Sequence, residues 1–324
     1  MQLAEGDGGS GESDQTAMRE TIELILEAGK SAINLALYTL LPIMIVMTVF
    51  LRWLEEKGVI KRLADLLGPI LKPFGLTGLS AIALLQVTLV NFAAPIPTLI
   101  RMERSEPNER TIAATLAAVL VIAPANGLFP LAFFGIDIGR NLLISAVCAI
   151  VASSLCFYGF GRKLDSCGRA VGLAEGEFRQ APSSFLKIIE NGGSEAITTV
   201  LRLIPLLLLS LAIVGLVQKL GIFEAIANGS RPYLEWVGLS SNVVAPSFIA
   251  YIAGSTALIG FYQNLGEASA LASDAALGFL VHSMNLVTVA ILLSVGPKVA
   301  RSTPPAIAAG LAGIMLRVLI GWFA

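Results

Sequence analysis

The stretch that decides the fold is residues 76–100, LTGLSAIALLQVTLVNFAAPIPTLI. Its first 15 residues, which precede Asn91, are mostly apolar and extend about 22 Å as a helix. The hydrocarbon core of a bilayer is about 30 Å thick, so this helix is too short to cross it. Pro95 and Pro97 lack a backbone N–H and end the helix. The stretch therefore either crosses as a broken span or turns back as a hairpin.

The composition places this stretch in a membrane protein. Only 14% of the 324 residues are charged and 55% are hydrophobic, whereas soluble domains carry about 25% charged residues. The net charge of −1 gives no indication of nucleic-acid binding. One histidine and three scattered cysteines exclude a zinc ribbon, a cysteine-ligated iron–sulfur cluster and a disulfide scaffold. We predict an all-α, polytopic membrane protein.

Other apolar runs are long enough to cross the bilayer. They are Ser31–Leu51, Thr111–Phe134, Asn141–Phe160, Ile197–Val217, Ala272–Val295 and Pro304–Phe323. A second ambiguous run, Val243–Tyr262, is interrupted by Pro246 and Gly254. The apolar positions of Val59–Pro73 follow helical spacing with charges on the other face, which predicts a helix lying in the membrane interface. A linker helix packed on the protein stays open as the alternative.

The two halves of the chain repeat one another. At an offset of 163 residues four positions that interrupt helices coincide, and the order of apolar and amphipathic elements is the same. The pairs are Pro42 with Pro205, Gly58 with Gly221, Pro69 with Pro232, and Gly75 with Gly238. At an offset of 159, Asn126 meets Asn285. Repeated apolar helices with paired interruptions are typical of transporters.

The distribution of basic residues decides how the broken runs are arranged. If both runs cross, the basic residues divide almost evenly between the two sides of the membrane. If both are re-entrant hairpins, sixteen lie on one side and five on the other, which is the asymmetry that positive-inside sorting produces. We therefore predict two inverted repeats, each with an amphipathic interfacial helix, a re-entrant hairpin and three transmembrane helices. Both termini then lie on the outer side of a bacterial cytoplasmic (inner) membrane.

The expected organisation follows from these boundaries. We predict a disordered tail (1–18), a first membrane repeat with a lead-in helix (19–160), a cytoplasmic linker (161–196) and a second membrane repeat (197–324). A hairpin tip at the midplane needs protein or a watery cavity around it, so the two hairpins should meet there and form a site.

Polar side chains near the interruptions are the candidates for this site. The substrate-binding candidates are Gln86, Thr88, Asn91, Asn126, Ser255, Thr256, His282 and Asn285. Amides and hydroxyls offer both donors and acceptors to a neutral polar ligand, and carbonyls freed near the prolines could hold a sodium ion. Some candidates have an alternative role: Asn91 as a helix cap, and Ser255 and Thr256 as packing residues. His282 is either a proton carrier or a neutral residue hydrogen-bonded between helices.

Other buried groups are expected to be structural. We expect Arg317 to extend to the membrane interface, and Cys148 and Cys156 to be small core residues. No acidic residue lies deep in a predicted span, which disfavours a carboxylate proton relay. There is no phosphate-binding loop for ATP and no predicted metal site, and one buried histidine without a nucleophile does not indicate an enzyme.

Val59–Pro73, the break NFAAPIP (91–97) and the interruption APANG (123–127), with their counterparts in the second half, resemble the nucleoside-recognition (Gate) domain family. That family is similar in layout to the core of concentrative nucleoside transporters and to bacterial ferrous-iron permeases. The resemblance covers about residues 31–324. The transporters use acidic residues at their hairpin tips and the permeases use reactive cysteines, and neither lies in the hairpins of this chain.

The sequence favours a secondary transporter or permease for a small polar solute, nucleoside-like as the leading choice. A membrane scaffold or regulatory subunit with a transporter-like fold stays open, as does a lipid- or ion-handling channel. We predict no cofactor, and the coupling ion (Na⁺ or H⁺) is not determined. The expected partners are the lipid bilayer and the solute, with a homo-oligomer left open.

Overall fold

The computed structural model describes residues 9–90, 92, 94–129, 131, 136–164, 184–236, 243–255, 258 and 274–323. Every regular element in these ranges is helical, as the sequence predicts. The α-helices are α1 (Gly9–Asn34), α2 (Leu41–Glu56), α3 (Val59–Leu71), α4 (Gly78–Leu89), α5 (Ile96–Ser105), α6 (Glu109–Val121), α7 (Ala125–Leu128), α8 (Ile138–Tyr158), α9 (Phe185–Lys219), α10 (Ile222–Trp236), α11 (Val244–Ala253), α12 (Asp274–Leu280), α13 (Leu286–Val295) and α14 (Pro297–Phe323). A π-helical turn (Leu35–Leu40) joins α1 to α2, and 3₁₀ turns (Lys72–Phe74, Phe160–Lys163) follow α3 and α8.

Helices α6, α8 and α14 pack against one another at the centre of the described structure. Residues 111–121 of α6 are all buried. A methyl group at Gly313 of α14 would lie 2.8 Å from Ala152 Cβ and from Val121 Cγ2, so only glycine allows the three helices to approach so closely. Contacts between small residues are the usual means of packing helices in lipid. Cys148 and Cys156 are buried in this core, as expected.

Two described stretches are each long and apolar enough to cross a membrane, Ile138–Lys163 and Pro297–Phe323. Counting each sharply bent helix pair as one span raises the number to four in the part of the chain described. These two stretches contain the predicted runs Asn141–Phe160 and Pro304–Phe323. Two other predicted runs, Thr111–Phe134 and Ala272–Val295, are each divided in two, because their helices stop at residues 121 and 280.

The ends of the predicted segments differ from the helix boundaries. Helix α1 begins at Gly9, within the segment predicted to be a tail, while residues 1–8 lie outside the described residues. The later turns of α1 pack on α9, where Lys219 pairs with Glu20 at 2.7 Å. Helix α9 begins at Phe185, within the predicted linker, of which residues 165–183 lie outside the description.

Corresponding positions of the two halves share local geometry. Gly58 joins α2 to α3 with φ of 68°, and Gly221 joins α9 to α10 with φ of 67°. Both are left-handed turns that favour glycine. Pro69 lies inside α3 and Pro232 inside α10. The turn from α3 into α4 is sharp, with an angle of 103° between Asp65–Phe74 and Gly78–Leu89.

A polar cluster joins the end of α5 and the start of α6 to the first turn of α14. The Glu103 carboxylate accepts hydrogen bonds from the backbone N–H groups of Lys298 (3.0 Å) and Val299 (2.7 Å). The Lys298 ammonium donates to the Glu106 carbonyl at 3.0 Å, and Arg301 pairs with Glu109. Glu103 therefore caps the N-terminus of a helix nearly two hundred residues away in sequence, where a negative charge complements the helix dipole.

Replacing Glu103 tests this cap. Glu103→Ala removes two charge-assisted hydrogen bonds and should lower the free energy of unfolding by about 1–3 kcal/mol. Glu103→Gln keeps an acceptor oxygen and should lose less. Thermal unfolding of the purified protein measures both, and an Ala variant as stable as the wild type would contradict the cap.

Glu106 should make stability depend on pH. Burial raises the pKa of Glu106 above its usual 4.5, against the opposing effects of the Asn108 N–H and the Lys298 ammonium. A raised carboxyl pKa means that folding becomes less favourable as pH rises from about 4.5 through the folded-state pKa. The Tm advantage of Glu106→Gln over the wild type should therefore grow as the pH rises through that range. An advantage that stays constant with pH would show that the carboxyl does not titrate as inferred.

Candidate functional site

Interruptions in helices from both halves of the chain lie in one region, here called the break cluster. They are the gap between α4 and α5 (90–95), the gap between α6 and α7 (122–124), the end of α11 (254–255), and the gap between α12 and α13 (281–285). Helix α4 contacts α7, α5 contacts α13, and α11 contacts both α12 and α13. Packing thus brings together the segments that the sequence marks with Pro, Gly and Asn.

Pro124 causes the break after α6. In a continuous helix the residue at position 124 would donate its N–H to the Leu120 carbonyl, but proline has none to donate. The Ser283 backbone N–H takes this role and donates to the Leu120 carbonyl at 3.1 Å. The Ser283 hydroxyl donates to the Ile122 carbonyl, also at 3.1 Å. The two broken segments therefore satisfy one another, and the Leu120 and Ile122 carbonyls are hydrogen-bonded within the protein.

His282 is buried in the break between α12 and α13 and is bonded through both ring nitrogens. Nδ1 lies 3.1 Å from the Met284 backbone N–H and accepts its hydrogen bond, so the ring proton sits on Nε2, which donates to the Phe279 carbonyl at 3.1 Å. The ring packs against Tyr251 with a centroid separation of 4.4 Å. A second proton on Nδ1 would face the N–H of Met284, so this geometry holds the imidazole neutral. Of the two roles considered from the sequence, it favours the structural one.

Gly254 and Ser255 at the end of α11 lie between the two broken segments. Gly254 has φ of +87°, and a Cβ placed there would lie 3.2 Å from Nδ2 of Asn285. Ser255 is buried, and its side chain fills the space where a Cβ at Gly127 would otherwise lie. Glycine at 127 and 254 is therefore what allows the end of α11 to sit between α7 and Asn285.

Asn285 is the N-cap of α13. Its side-chain oxygen accepts hydrogen bonds from the Thr288 backbone N–H (2.8 Å) and from the Thr288 hydroxyl (3.1 Å). Its amide nitrogen donates to the Ser283 carbonyl at 3.3 Å. An asparagine in this position restarts the helix after the break. From the sequence we predicted a ligand contact for Asn285 and did not anticipate this cap.

Gln86 links the two arms on either side of the first break. Its side-chain oxygen accepts a hydrogen bond of 2.8 Å from the Thr98 hydroxyl, which joins α4 to α5. Thr88, also on α4, is half-buried. The backbone of Asn126 lies on α7, next to Gly127 and hence to Ser255. Asn91 and Thr256 lie outside the described residues. Of the eight candidates, packing thus brings Ser255, His282 and Asn285 together. The backbone of Asn126 lies beside this group, because its chain neighbour Gly127 contacts Ser255.

The expectation for Arg317 is wrong. We predicted that it would extend to the membrane interface, but its side chain is 1% exposed. The guanidinium donates through Nη1 to the Val281 carbonyl, at the carboxyl end of α12. The position of Arg317 near the end of an apolar run gave no signal of this contact, because the contact depends on how α14 packs against α12.

A pair of substitutions separates capping from other roles of Asn285. Asn285→Ala removes the cap of a buried helix and should lower the free energy of unfolding by about 1–2 kcal/mol. Asn285→Ser restores an oxygen that can cap α13, so most of this loss should be absent. Thermal unfolding without added solute is the measurement. Equal losses in both variants would mean that capping is not what this side chain contributes to stability.

Comparison with known proteins agrees with this architecture. Residues 37–161 match the family model of the Gate domain, which is described as nucleoside recognition. No curated protein matches the sequence.

Solved structures of CNTnw are similar over almost the whole chain. CNTnw in an inward-facing substrate-bound state is 17% identical, with a TM-score of 0.66 over 97% of this chain and 84% of that chain. A double variant in an outward-facing state is 15% identical, with a TM-score of 0.67 over 97% and 85%. A variant in an intermediate state is 16% identical, with a TM-score of 0.67 over 98% and 88%. Residues 37–161 therefore match the Gate nucleoside-recognition model, within a chain whose fold is similar to that of CNTnw.

Proposed function

We propose that this chain is a secondary transporter that moves a small polar solute, nucleoside-like as the leading choice, through a site at the break cluster. The observation that carries the proposal is that the breaks around Pro124, Gly254 and Ser283, which come from both halves of the chain, contact one another. The nucleoside-recognition match over residues 37–161 and the likeness to CNTnw support the choice of solute. Broken helices that meet inside the membrane are the usual setting of a transporter substrate site.

We infer that the first and second broken runs are re-entrant hairpins that enter from opposite leaflets, within two inverted repeats. The left-handed turns at Gly58 and Gly221 and the prolines inside α3 and α10 support the repeat. The asymmetry of basic residues supports the hairpins and places both termini on the outer side of the inner membrane. In this arrangement Lys72 and Arg104 lie on the same side of the bilayer.

The chemistry of the cluster suits a neutral solute with a flat ring. The amide and hydroxyl groups of Gln86 and Ser255 include donors and acceptors, as nucleoside hydroxyls and ring nitrogens require. Tyr251, His282 and Phe279 form an aromatic group, in which Tyr251 lies 5.6 Å from Phe279 between ring centroids. An aromatic face of this kind packs well against a planar ring.

Alternating access is the mechanism we propose. CNTnw has been solved in inward-facing, intermediate and outward-facing states. A chain of this fold can expose one site to either side by moving its hairpins and broken spans as a unit against the remaining helices. His282 is not the proton carrier in this proposal, since its ring is bonded as a neutral group. Whether Na⁺ or H⁺ drives the movement, and whether the chain assembles as a homo-oligomer, are left to experiment.

Ligand-induced stabilisation and uptake test the function together. We expect at least one nucleoside from a broad panel to raise the Tm of the purified protein, because a ligand at a hundred times its Kd stabilises by about 2.7 kcal/mol. The same nucleoside should accumulate in, or exchange across, proteoliposomes. Gln86→Ala and Asn126→Ala should abolish the ligand-induced Tm shift.

The matched control is Ser145→Ala, which removes a buried hydroxyl bonded within its own helix, to the Leu142 carbonyl of α8. This variant should keep the ligand-induced shift. No Tm shift and no uptake across nucleosides, amino acids and ions would contradict the transporter proposal. Binding without uptake would favour a regulatory role, and unchanged shifts in Gln86→Ala and Asn126→Ala would place the site elsewhere.

A further inference from the structure

The carboxyl end of α12 carries carbonyl groups that its own helix cannot satisfy. The helix stops at Leu280, so its last carbonyls have no backbone N–H one turn further along the helix to accept from. These carbonyls concentrate partial negative charge at this end. His282 satisfies the Phe279 carbonyl, and Arg317 satisfies the Val281 carbonyl. Both caps are side chains, and one of them carries a full positive charge.

Close packing at Gly278 brings Arg317 to this position. A Cβ at Gly278 would lie 3.0 Å from the Val318 backbone nitrogen and 3.1 Å from the Arg317 carbonyl oxygen. The backbones of α12 and α14 are therefore in direct contact two turns before the end of α14. From this contact the Arg317 side chain reaches the end of α12 without leaving the protein interior.

In transporters with broken helices, exposed carbonyls at the carboxyl ends of half-helices commonly coordinate Na⁺. Here the same kind of group meets a guanidinium, which stays charged at every accessible pH. Two cations cannot share a few ångströms of a low-dielectric interior, because their repulsion there is poorly screened.

We propose that the Arg317 guanidinium is a tethered cation that neutralises the carboxyl end of α12 and excludes sodium from this break. The break between α12 and α13 then needs no dissolved cation to satisfy these carbonyls. Any ion that drives transport binds elsewhere in the chain. The proposal concerns the folded protein and stands whether or not the chain transports a solute.

Substitutions that keep or remove the charge provide the test, with thermal unfolding in sodium-free buffer as the readout. Arg317→Met keeps the apolar stem without the charge and should lower the Tm by roughly 5 °C or more, whereas Arg317→Lys should retain most of the stability. Arg317→Ala leaves space for a small cation, so added methylguanidinium should restore at least part of its lost Tm. Sodium, compared with choline, should also stabilise Arg317→Ala more than it stabilises the wild type.

Arg140→Ala is the control, because Arg140 is an exposed arginine at the start of α8. It should show neither the loss of Tm nor the rescue. Equal losses in the Lys and Met variants would overturn the proposal, as would a methylguanidinium effect on Arg317→Ala no larger than on the wild type. If Arg317→Ala does not fold, the Lys and Met variants decide the question through their Tm or, failing that, through the yield of monodisperse protein.

Discussion

The structure depends on one constraint: where a helix is interrupted inside an apolar interior, every freed backbone N–H and carbonyl must find a partner within the protein. An unsatisfied polar group in such surroundings lowers the free energy of unfolding by roughly several kcal/mol. Pro124 creates this problem by withholding the N–H that the Leu120 carbonyl needs. The solution comes from the other half of the chain, where Ser283 donates through its backbone and its side chain. Each broken segment is stable because the other is beside it.

This reciprocity explains why polar side chains at the break cluster are engaged with the protein itself. Asn285 caps α13, His282 and Arg317 cap the end of α12, and Gln86 ties α4 to α5. Such side chains give the cluster a defined shape that helices alone could not hold. For the solute proposed above, groups held in fixed positions would reduce the entropy lost on binding. Capping and ligand binding are therefore compatible roles for the same cluster.

The likeness to CNTnw at 14–17% identity fits this view. Apolar side chains that face lipid or one another can be exchanged widely, as long as packing volume is kept. Interruptions are harder to exchange, since each needs a residue that breaks the helix and a partner that satisfies the exposed groups.

Where the helices break was readable from the sequence. Pro95, Pro124 and Gly254 act through their own backbone chemistry, so their effect is local and follows from residue type. The break before Asn285, by contrast, divides a run predicted to be continuous. The helical fold class and the apolar core around α6 also follow from composition and run length. What joins the breaks could not be read in this way: the contact of Ser283 with Leu120 spans more than 160 residues, and that of Glu103 with α14 nearly 200. Only tertiary packing decided these pairs, and it alone placed Arg317 in the interior, because the approach of α12 to α14 at Gly278 sets where the guanidinium can reach.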